Sequence, residues 1–144
     1  MQTVSVEVGS ILLVEDNTID LDLALRAFDR CEVYRHLQIA RNGEDVLDLM
    51  QQWEEGQPVP SVILLDLDLP KVGGLEVLRR LKSHDEFKTI PVIMLTNSGA
   101  QQDINEAYQL GANSYVQKPM DFGSYRELAN QIEHYWCRVN TPPR

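Results

Sequence analysis

Acidic, hydroxyl and cationic side chains stand at the ends of four separate apolar segments of this 144-residue chain. Glu15 and Asp16 end one segment, and Asp66 ends another. Thr96 and Lys118 stand in the corresponding places after two later segments. Carboxylates packed together repel one another and favour a divalent cation, and a carboxylate can act as a nucleophile toward phosphorus. If the fold brings these five side chains together, they indicate phosphoryl transfer.

The apolar segments have the length of buried parallel strands, and segments of helical periodicity separate them. The predicted strands are Ser10–Val14, Leu37–Ala40, Ser61–Leu65, Pro91–Leu95 and Ser114–Gln117. The predicted helices run from Thr18 to about Arg30, from Asn42 to about Trp53, over about Leu75–Ser83, from Ser98 to Leu110, and from Asp121 to about Cys137. Five strands therefore alternate with five helices.

This alternation predicts one α/β layer, a flavodoxin-like doubly wound parallel sheet with strand order 2-1-3-4-5 and five helices. The carboxyl ends of parallel strands share one edge of the sheet, where ligands bind. Strands one and three are neighbours in this order, so we expect Glu15, Asp16 and Asp66 to lie side by side. Thr96 and Lys118 should lie on the strands to one side.

Local signals set the expected helix ends. Asn17 can cap the first helix, and Ser98 with Gln101 is a capping-box pattern that would open the fourth. Gly111 should end that helix in a left-handed conformation. The remaining acidic residues of the first two helices are expected on solvated helix faces; these are Asp20, Asp22, Asp45 and Asp48.

Composition narrows the function classes. A net charge of −9 and a pI near 4.7 argue against nucleic acid and against an anionic membrane surface as partners. No apolar segment approaches the roughly 18–20 residues that span a bilayer. Cys31 and Cys137 lie far apart in the sequence, so we expect reduced thiols in a cytoplasmic protein.

The residue types suggest how a Mg²⁺ ion would be held. Mg²⁺ prefers oxygen ligands and one or two direct carboxylates, with water filling the other positions. Asp16 and Asp66 are the candidate direct ligands, and Glu15 is placed to hold a metal-bound water. The backbone carbonyl of Asp68 is a further candidate ligand.

The same residues suggest how a phosphoryl group would be received. Asp66 stands alone after the central strand and is the candidate nucleophile, which would form an acyl phosphate. Lys118 would neutralise charge on the phosphoryl oxygens, and Thr96 would donate a hydrogen bond to one of them.

Four segments of the sequence resemble the response-regulator receiver domain of two-component signalling. They are ILLVEDN (11–17), LLDLDLP (64–70), VIMLTNS (92–98) and SYVQKP (114–119). The resemblance extends from about Ser10 to Cys137 and implies that Asp66 is the phosphoacceptor and Thr96 the switch hydroxyl. It also implies that Tyr115 is the aromatic switch residue and that the peptide bond before Pro119 is cis.

The resemblance is greatest to the cyanobacterial phytochrome-associated response regulators. One departure is Gly73-Gly74, where the family usually has Asp-Gly. Asp68 and Ser98 occupy positions that tune the phosphoryl lifetime within the family.

The resemblance implies a single receiver domain over residues 1–144, without an output domain. Such a protein takes a phosphoryl group from the phosphohistidine of a histidine kinase, here expected to be a phytochrome. It is a switch that catalyses only its own phosphorylation and dephosphorylation. The aromatic residues of the last helix suggest that helix four, strand five and helix five form the surface for a downstream protein target or a homodimer.

Two alternatives come from other classes of protein. A Mg²⁺-dependent phosphatase of the haloacid-dehalogenase type would use Asp66 and Asp68 as its DxD motif, but that motif usually follows the first strand. A flavin or nucleotide binder on the same fold would need a glycine-rich phosphate loop, which is not found after strand one.

Overall fold

The structure is a computed structural model that describes residues 6–29, 31 and 36–143. Its strands are β1 (Val6–Val14), β2 (Leu37–Ala40), β3 (Val59–Leu65), β4 (Val92–Thr96) and β5 (Ser114–Gln117). Its α-helices are α1 (Thr18–Phe28), α2 (Gly43–Glu54), α3 (Gly74–Ser83), α4 (Gln101–Gln109) and α5 (Phe122–Ile132). The predicted end of the first helix, at Arg30, lies outside the described residues.

The strands of the described residues form one parallel sheet in the order β2-β1-β3-β4-β5. This order confirms the predicted flavodoxin-like topology. Every residue of β3 is buried, as expected for the central strand of a sheet covered on both faces. β2 and β5 are the edge strands, and the residues of β5 are half-buried or exposed.

Two apolar layers cover the sheet. Alternate β1 residues divide between them, because successive side chains of a strand point to opposite faces. Leu12 and Val14 pack with residues of α2, α3 and α4, whereas Ile11 and Leu13 pack with α1 and α5. The helices are thereby fixed on both faces, and their ends and loops meet at the edges of the sheet.

Side chains at the helix starts confirm part of the predicted capping. The Asn17 side chain accepts a hydrogen bond from the backbone of Asp20, and Asn42 caps α2 in the same way. Gly111 has a φ of 108° and ends α4 as predicted. The predicted capping box is wrong: α4 starts after Ala100, and the Ser98 hydroxyl bonds to Asp103 instead.

β1 starts earlier than predicted and contains an irregularity. Its pairing with β3 shifts between Glu7 and Ile11, and Gly9 adopts a φ of 81° there. A residue with a side chain rarely adopts this conformation, so the bulge favours glycine. The Ser61 hydroxyl accepts from the Gly9 amide and donates to the Glu7 carbonyl, which satisfies both backbone groups.

The last helical segment changes its winding. α5 gives way at Glu133 to a π-helix, Glu133–Val139, where a single helix to about Cys137 is predicted. Tyr135 and Trp136 pack edge to face in this segment, with ring centroids 4.9 Å apart, and Tyr135 is half exposed. No described helix is long and apolar enough to cross a membrane.

Candidate functional site

Backbone hydrogen bonds continue past the strand ends and hold the predicted site residues in register. The Glu15 amide donates to the Ala40 carbonyl, and the Asp66 amide donates to the Val14 carbonyl. On the other side, the Lys118 amide donates to the Thr96 carbonyl over 2.8 Å. Residues far apart in the sequence therefore meet at the carboxyl edge of the sheet.

The Lys118 ammonium is the centre of this site. Its Nζ lies 2.6 Å from a Glu15 oxygen, 2.7 Å from Asp66 Oδ2 and 2.8 Å from Asp20 Oδ2. The side chains of Lys118, Glu15 and Asp66 are each at most 5% exposed. An ionised side chain is this deeply buried only when it is paired, and here three carboxylates share one ammonium.

The charges of the site do not balance, and the pKa values reflect this. Burial raises the pKa of Glu15 to about 7, and the negative charge of Asp66 adds to the effect, while the hydrogen bond from Lys118 opposes it. Burial alone would lower the pKa of Lys118, but hydrogen bonds to Asp20, Asp66 and Glu15 outweigh it, so this pKa is raised. Lys118 is therefore charged at neutral pH, and the site carries excess negative charge.

Asp16 occupies the solvent side of the site and is exposed. Its backbone carbonyl accepts from Arg41 Nη2 over 3.0 Å, and the same guanidinium nitrogen lies 3.3 Å from Thr18 Oγ1. Arg41 follows β2 directly, so this contact ties the β2–α2 loop to the acidic segment after β1. The loop therefore helps to position Asp16.

The Thr96 hydroxyl is fully buried and has no hydrogen-bond partner among the described residues. An unpaired buried hydroxyl is costly and is usually satisfied by another group. At this edge of the sheet, such a group would be an anion that accepts the hydrogen bond. The Thr96 hydroxyl therefore has a hydrogen to donate, and its role as a donor to a phosphoryl oxygen stays a prediction.

The loop after β3 shapes the other side of Asp66. The Asp68 amide donates to Asp66 Oδ1 over 3.3 Å. A Cβ on Gly74 would lie 2.0 Å from the Asp66 carbonyl oxygen, so only glycine fits there. A Cβ on Gly73 would have no described atom within 4 Å. The sequence therefore departs from the family's Asp-Gly pattern only at Gly73, where a side chain would fit. The glycine that the loop requires, Gly74, is present.

Tyr115 is tied to the loop that follows β4. Its hydroxyl donates to the Ser98 carbonyl over 2.8 Å, and its ring is half-buried against the α2–α4 layer. Tyr115 therefore both packs on the core and bonds to the segment after Thr96, and its role as a switch residue stays a prediction.

One sequence prediction fails at the site. The peptide bond before Pro119 is trans, as are all bonds of the described residues. An X–Pro bond prefers trans by about 0.5–1 kcal/mol unless its surroundings favour cis. Among the described residues, no three His, Cys, Asp or Glu side chains are arranged to hold a metal ion, and the Mg²⁺ ligands expected from the sequence stay a prediction. Glu15 and Asp66 contact Lys118 instead.

Asp20 is the site residue that sequence reasoning missed. The helical pattern predicts that it lies on a solvated helix face, yet its carboxylate contacts Lys118. The available signal was its place in the first turn of α1, because that turn starts at the carboxyl edge of the sheet. Helical periodicity alone does not reveal which first-turn side chain points toward the sheet.

Comparison with known proteins identifies the family of this site. Residues 11–130 match the family described as the response regulator receiver domain. The chain belongs to this family. The receiver is 39% identical over 134 residues to the probable methanogenesis regulatory protein FilR2 of Methanothrix harundinacea, covering 92% of this chain and 86% of FilR2. It is 36% identical to the response regulator Rcp1 of Synechocystis sp., covering 92% of each chain.

Solved structures agree with this assignment. The receiver matches a crystal structure of the Mn²⁺-bound form of Rcp1 with a TM-score of 0.82 and 34% identity, over 94% of this chain and 99% of that one. It matches phosphorylated RcpA, a cyanobacterial phytochrome response regulator, with a TM-score of 0.85 and 33% identity, over 94% and 98% of the two chains. These relatives are response regulators and give no support to the phosphatase alternative.

Proposed function

We propose that this receiver is a signalling switch in which Asp66 accepts a phosphoryl group from a phosphohistidine. The observation that carries the proposal is the buried Asp66 carboxylate, held 2.7 Å from the Lys118 ammonium at the carboxyl edge of the sheet. An Asp66 oxygen would attack phosphorus, the P–N bond to the imidazole would break, and an acyl phosphate would form. Lys118 and the Thr96 hydroxyl would then donate to the phosphoryl oxygens.

The donor set suits a divalent cation. Three carboxylates face one ammonium, and Asp16 adds a further exposed carboxylate on the same edge. Asp16, Asp66 and the Asp68 carbonyl would hold Mg²⁺, with Glu15 beside them. When bound, Mg²⁺ supplies charge neutralisation for the transferring phosphoryl group. The Mn²⁺-bound form of Rcp1 supports a divalent metal in this family.

Phosphorylation with acetyl phosphate tests the acceptor. We expect Mg²⁺-dependent addition of one phosphoryl group, located on Asp66 by mass spectrometry, and complete loss of the addition in Asp66→Asn. Asp68→Asn is the matched control, since this exposed neighbour keeps its backbone groups. Normal uptake by Asp66→Asn would refute the acceptor assignment. Multiple turnover of a phosphomonoester that depends on the Asp68 side chain would instead favour an enzyme.

The same proposal explains how the signal leaves the site. A phosphoryl group on Asp66 would attract the Thr96 hydroxyl, and the segment after β4 would move with it. Tyr115, which lies on the edge strand β5, is hydrogen-bonded to that segment through the Ser98 carbonyl, so its ring would shift at this edge of the sheet. The result is a population shift between two arrangements of one surface.

We propose that this surface consists of α4, β5 and α5 and contacts either a protein target or a second copy of the chain. β5 is a partly exposed edge strand, and Tyr108 on α4 is 49% exposed. Analytical ultracentrifugation with and without phosphorylation tests the homodimer. A strict monomer at high micromolar concentration in both states would refute the homodimer and leave the protein target as the use of this surface.

A cytoplasmic histidine kinase is the proposed phosphoryl donor, and a phytochrome is the proposed kinase class. Free thiols at Cys31 and Cys137 agree with a reducing compartment. The phytochrome link is supported by the similarity to RcpA and to the bacteriophytochrome response regulator AtBRR, which is 40% identical. Phosphotransfer profiling against purified kinases tests this link. Preferential transfer from a kinase without a bilin chromophore would overturn it.

A further inference from the structure

Asp20 is the third carboxylate on Lys118, and the proposed phosphoryl transfer leaves it without a role. Its Oδ2 atom lies 2.8 Å from Lys118 Nζ. The Asn17 cap fixes the first turn of α1 through the Asp20 amide, which holds this side chain at the mouth of the site. Asp20 is 25% exposed, whereas Glu15 and Asp66 are nearly inaccessible.

The number of N–H donors on the Lys118 ammonium limits how many anions it can bind. A lysine ammonium has three N–H donors. Glu15, Asp66 and Asp20 lie within 2.8 Å of it and can each take one donor. All three donors are therefore taken in the resting arrangement. The donor on Asp66 can follow the phosphoryl group of that residue, but a second donor reaches the phosphoryl oxygens only if Glu15 or Asp20 gives it up. Asp20, at the solvent side, is the one that can be released without leaving a fully buried charge unpaired.

We propose that Asp20 is a positioning residue that holds Lys118 in the resting arrangement and opposes its move to the phosphoryl group. The inference rests on the proposed phosphorylation of Asp66. A phosphoryl group brings up to two negative charges to the site. Asp20 disfavours that state twice, because it competes for the ammonium and because its own charge repels the phosphoryl oxygens. It thereby shifts the equilibrium toward the unphosphorylated receiver.

Beryllofluoride, an analogue of the phosphoryl group, tests the inference at saturating Mg²⁺. We expect Asp20→Asn to bind beryllofluoride roughly fivefold more tightly than the wild type, the scale of one unit charge about 4 Å away when water screens it. Asp20→Glu keeps the charge and should stay close to the wild type. Asp22→Asn is the matched control, because Asp22 lies half a turn further along α1 and pairs with Arg26.

Each outcome has a distinct meaning. Unchanged or weaker binding by Asp20→Asn would overturn the role of Asp20, provided that urea unfolding shows the variant to be folded. An equal gain in beryllofluoride affinity in Asp22→Asn would show that the effect comes from surface charge in general, and it would also overturn the role of Asp20. If the wild type binds no beryllofluoride and takes up no phosphoryl group, the proposed function itself fails.

Discussion

Among the described residues, both ends of the sheet bury polar side chains, but only the carboxyl end buries charges. The buried polar residues at the amino end are Ser10 and Ser61, and those at the carboxyl end are Glu15, Asp66, Thr96 and Lys118. Ser61 satisfies two backbone groups at the β1 bulge, which is a structural task. At the other end, three carboxylates compete for one ammonium, an arrangement that no structural task requires.

Excess buried charge, and not an unsatisfied hydroxyl, distinguishes the carboxyl end of the sheet. Ser10 Oγ at one end and Thr96 Oγ1 at the other both lack a hydrogen-bond partner among the described residues. An unsatisfied hydroxyl therefore does not distinguish the two ends. Excess buried charge does, because apolar residues of similar volume would often be more stable there. Perturbed ionisable groups concentrate where chemistry is performed.

Removing the central cation should have the largest effect on stability. We expect Lys118→Met to lower the free energy of unfolding by about 3–5 kcal/mol, because it leaves Glu15 and Asp66 buried without their cation. Urea denaturation at pH 8 with a chelator measures this loss. A loss no larger than that of a serine substitution at the amino end would remove the contrast between the two ends.

Adding one methyl group beside Asp66 should come next. Gly74→Ala should lower the free energy of unfolding by about 3 kcal/mol and impair phosphoryl uptake, because its Cβ would collide with the Asp66 carbonyl oxygen. Gly73→Ala is the matched control, since a Cβ there meets open space among the described atoms and φ is −70°. Thermal unfolding and acetyl phosphate labelling of both variants check the pair. Equal effects would mean that the loop does not support the site as described.

Glu15 should give the carboxyl end a pH dependence that the amino end lacks. Its folded-state pKa, about 7, is higher than the usual 4.5, so the native state holds this proton more tightly than the unfolded state. The stabilisation from Glu15 is complete below about pH 4.5 and is lost as the pH rises through about 7. Without divalent cations, the free energy of unfolding of Glu15→Gln should therefore exceed that of the wild type by about 2 kcal/mol at pH 8 and equal it at pH 4.5. Parallel stability curves for the two proteins would refute this account.

The smallest effect should come from the amino end. Ser61→Ala should lower the free energy of unfolding by roughly 1–2 kcal/mol, because the Gly9 amide and the Glu7 carbonyl lose their hydrogen-bond partner. Its phosphoryl uptake should equal that of the wild type. Reduced uptake would show that the two ends are coupled through the sheet, against the separation of structural and functional ends.

Much of the fold could be predicted because its signals are local and repeated. The apolar strands, the Asn17 and Asn42 caps and the Gly111 stop each follow from residue types at short spacing. The strand order then follows from general rules on crossovers. The meeting of Glu15, Asp66 and Lys118 was predictable from that order, because parallel strands end at the same edge.

The remaining features depend on side-chain direction and on competition between contacts. Asp20 points toward Lys118, and Ser98 prefers Asp103 to the backbone of the next helix. The helical pattern near the C-terminus does not distinguish α-helical from π-helical winding, so the sequence does not predict the change at Glu133. The isomer before Pro119 depends on small energy differences that the sequence alone does not reveal.

The irregularity in β1 has a consequence for the whole sheet. From Glu7 to Ile11 this strand advances four positions while β3 advances two, from Pro60 to Val62. The surplus is an even number, so the in–out parity of the side chains is the same before and after it. Val6 accordingly packs in the same layer as Leu12. Deleting one residue between Glu7 and Ile11 would leave one extra residue in β1, so the side chains on one side of the irregularity would point to the wrong face of the sheet. Deleting two residues would remove the extra residues and allow regular pairing with β3.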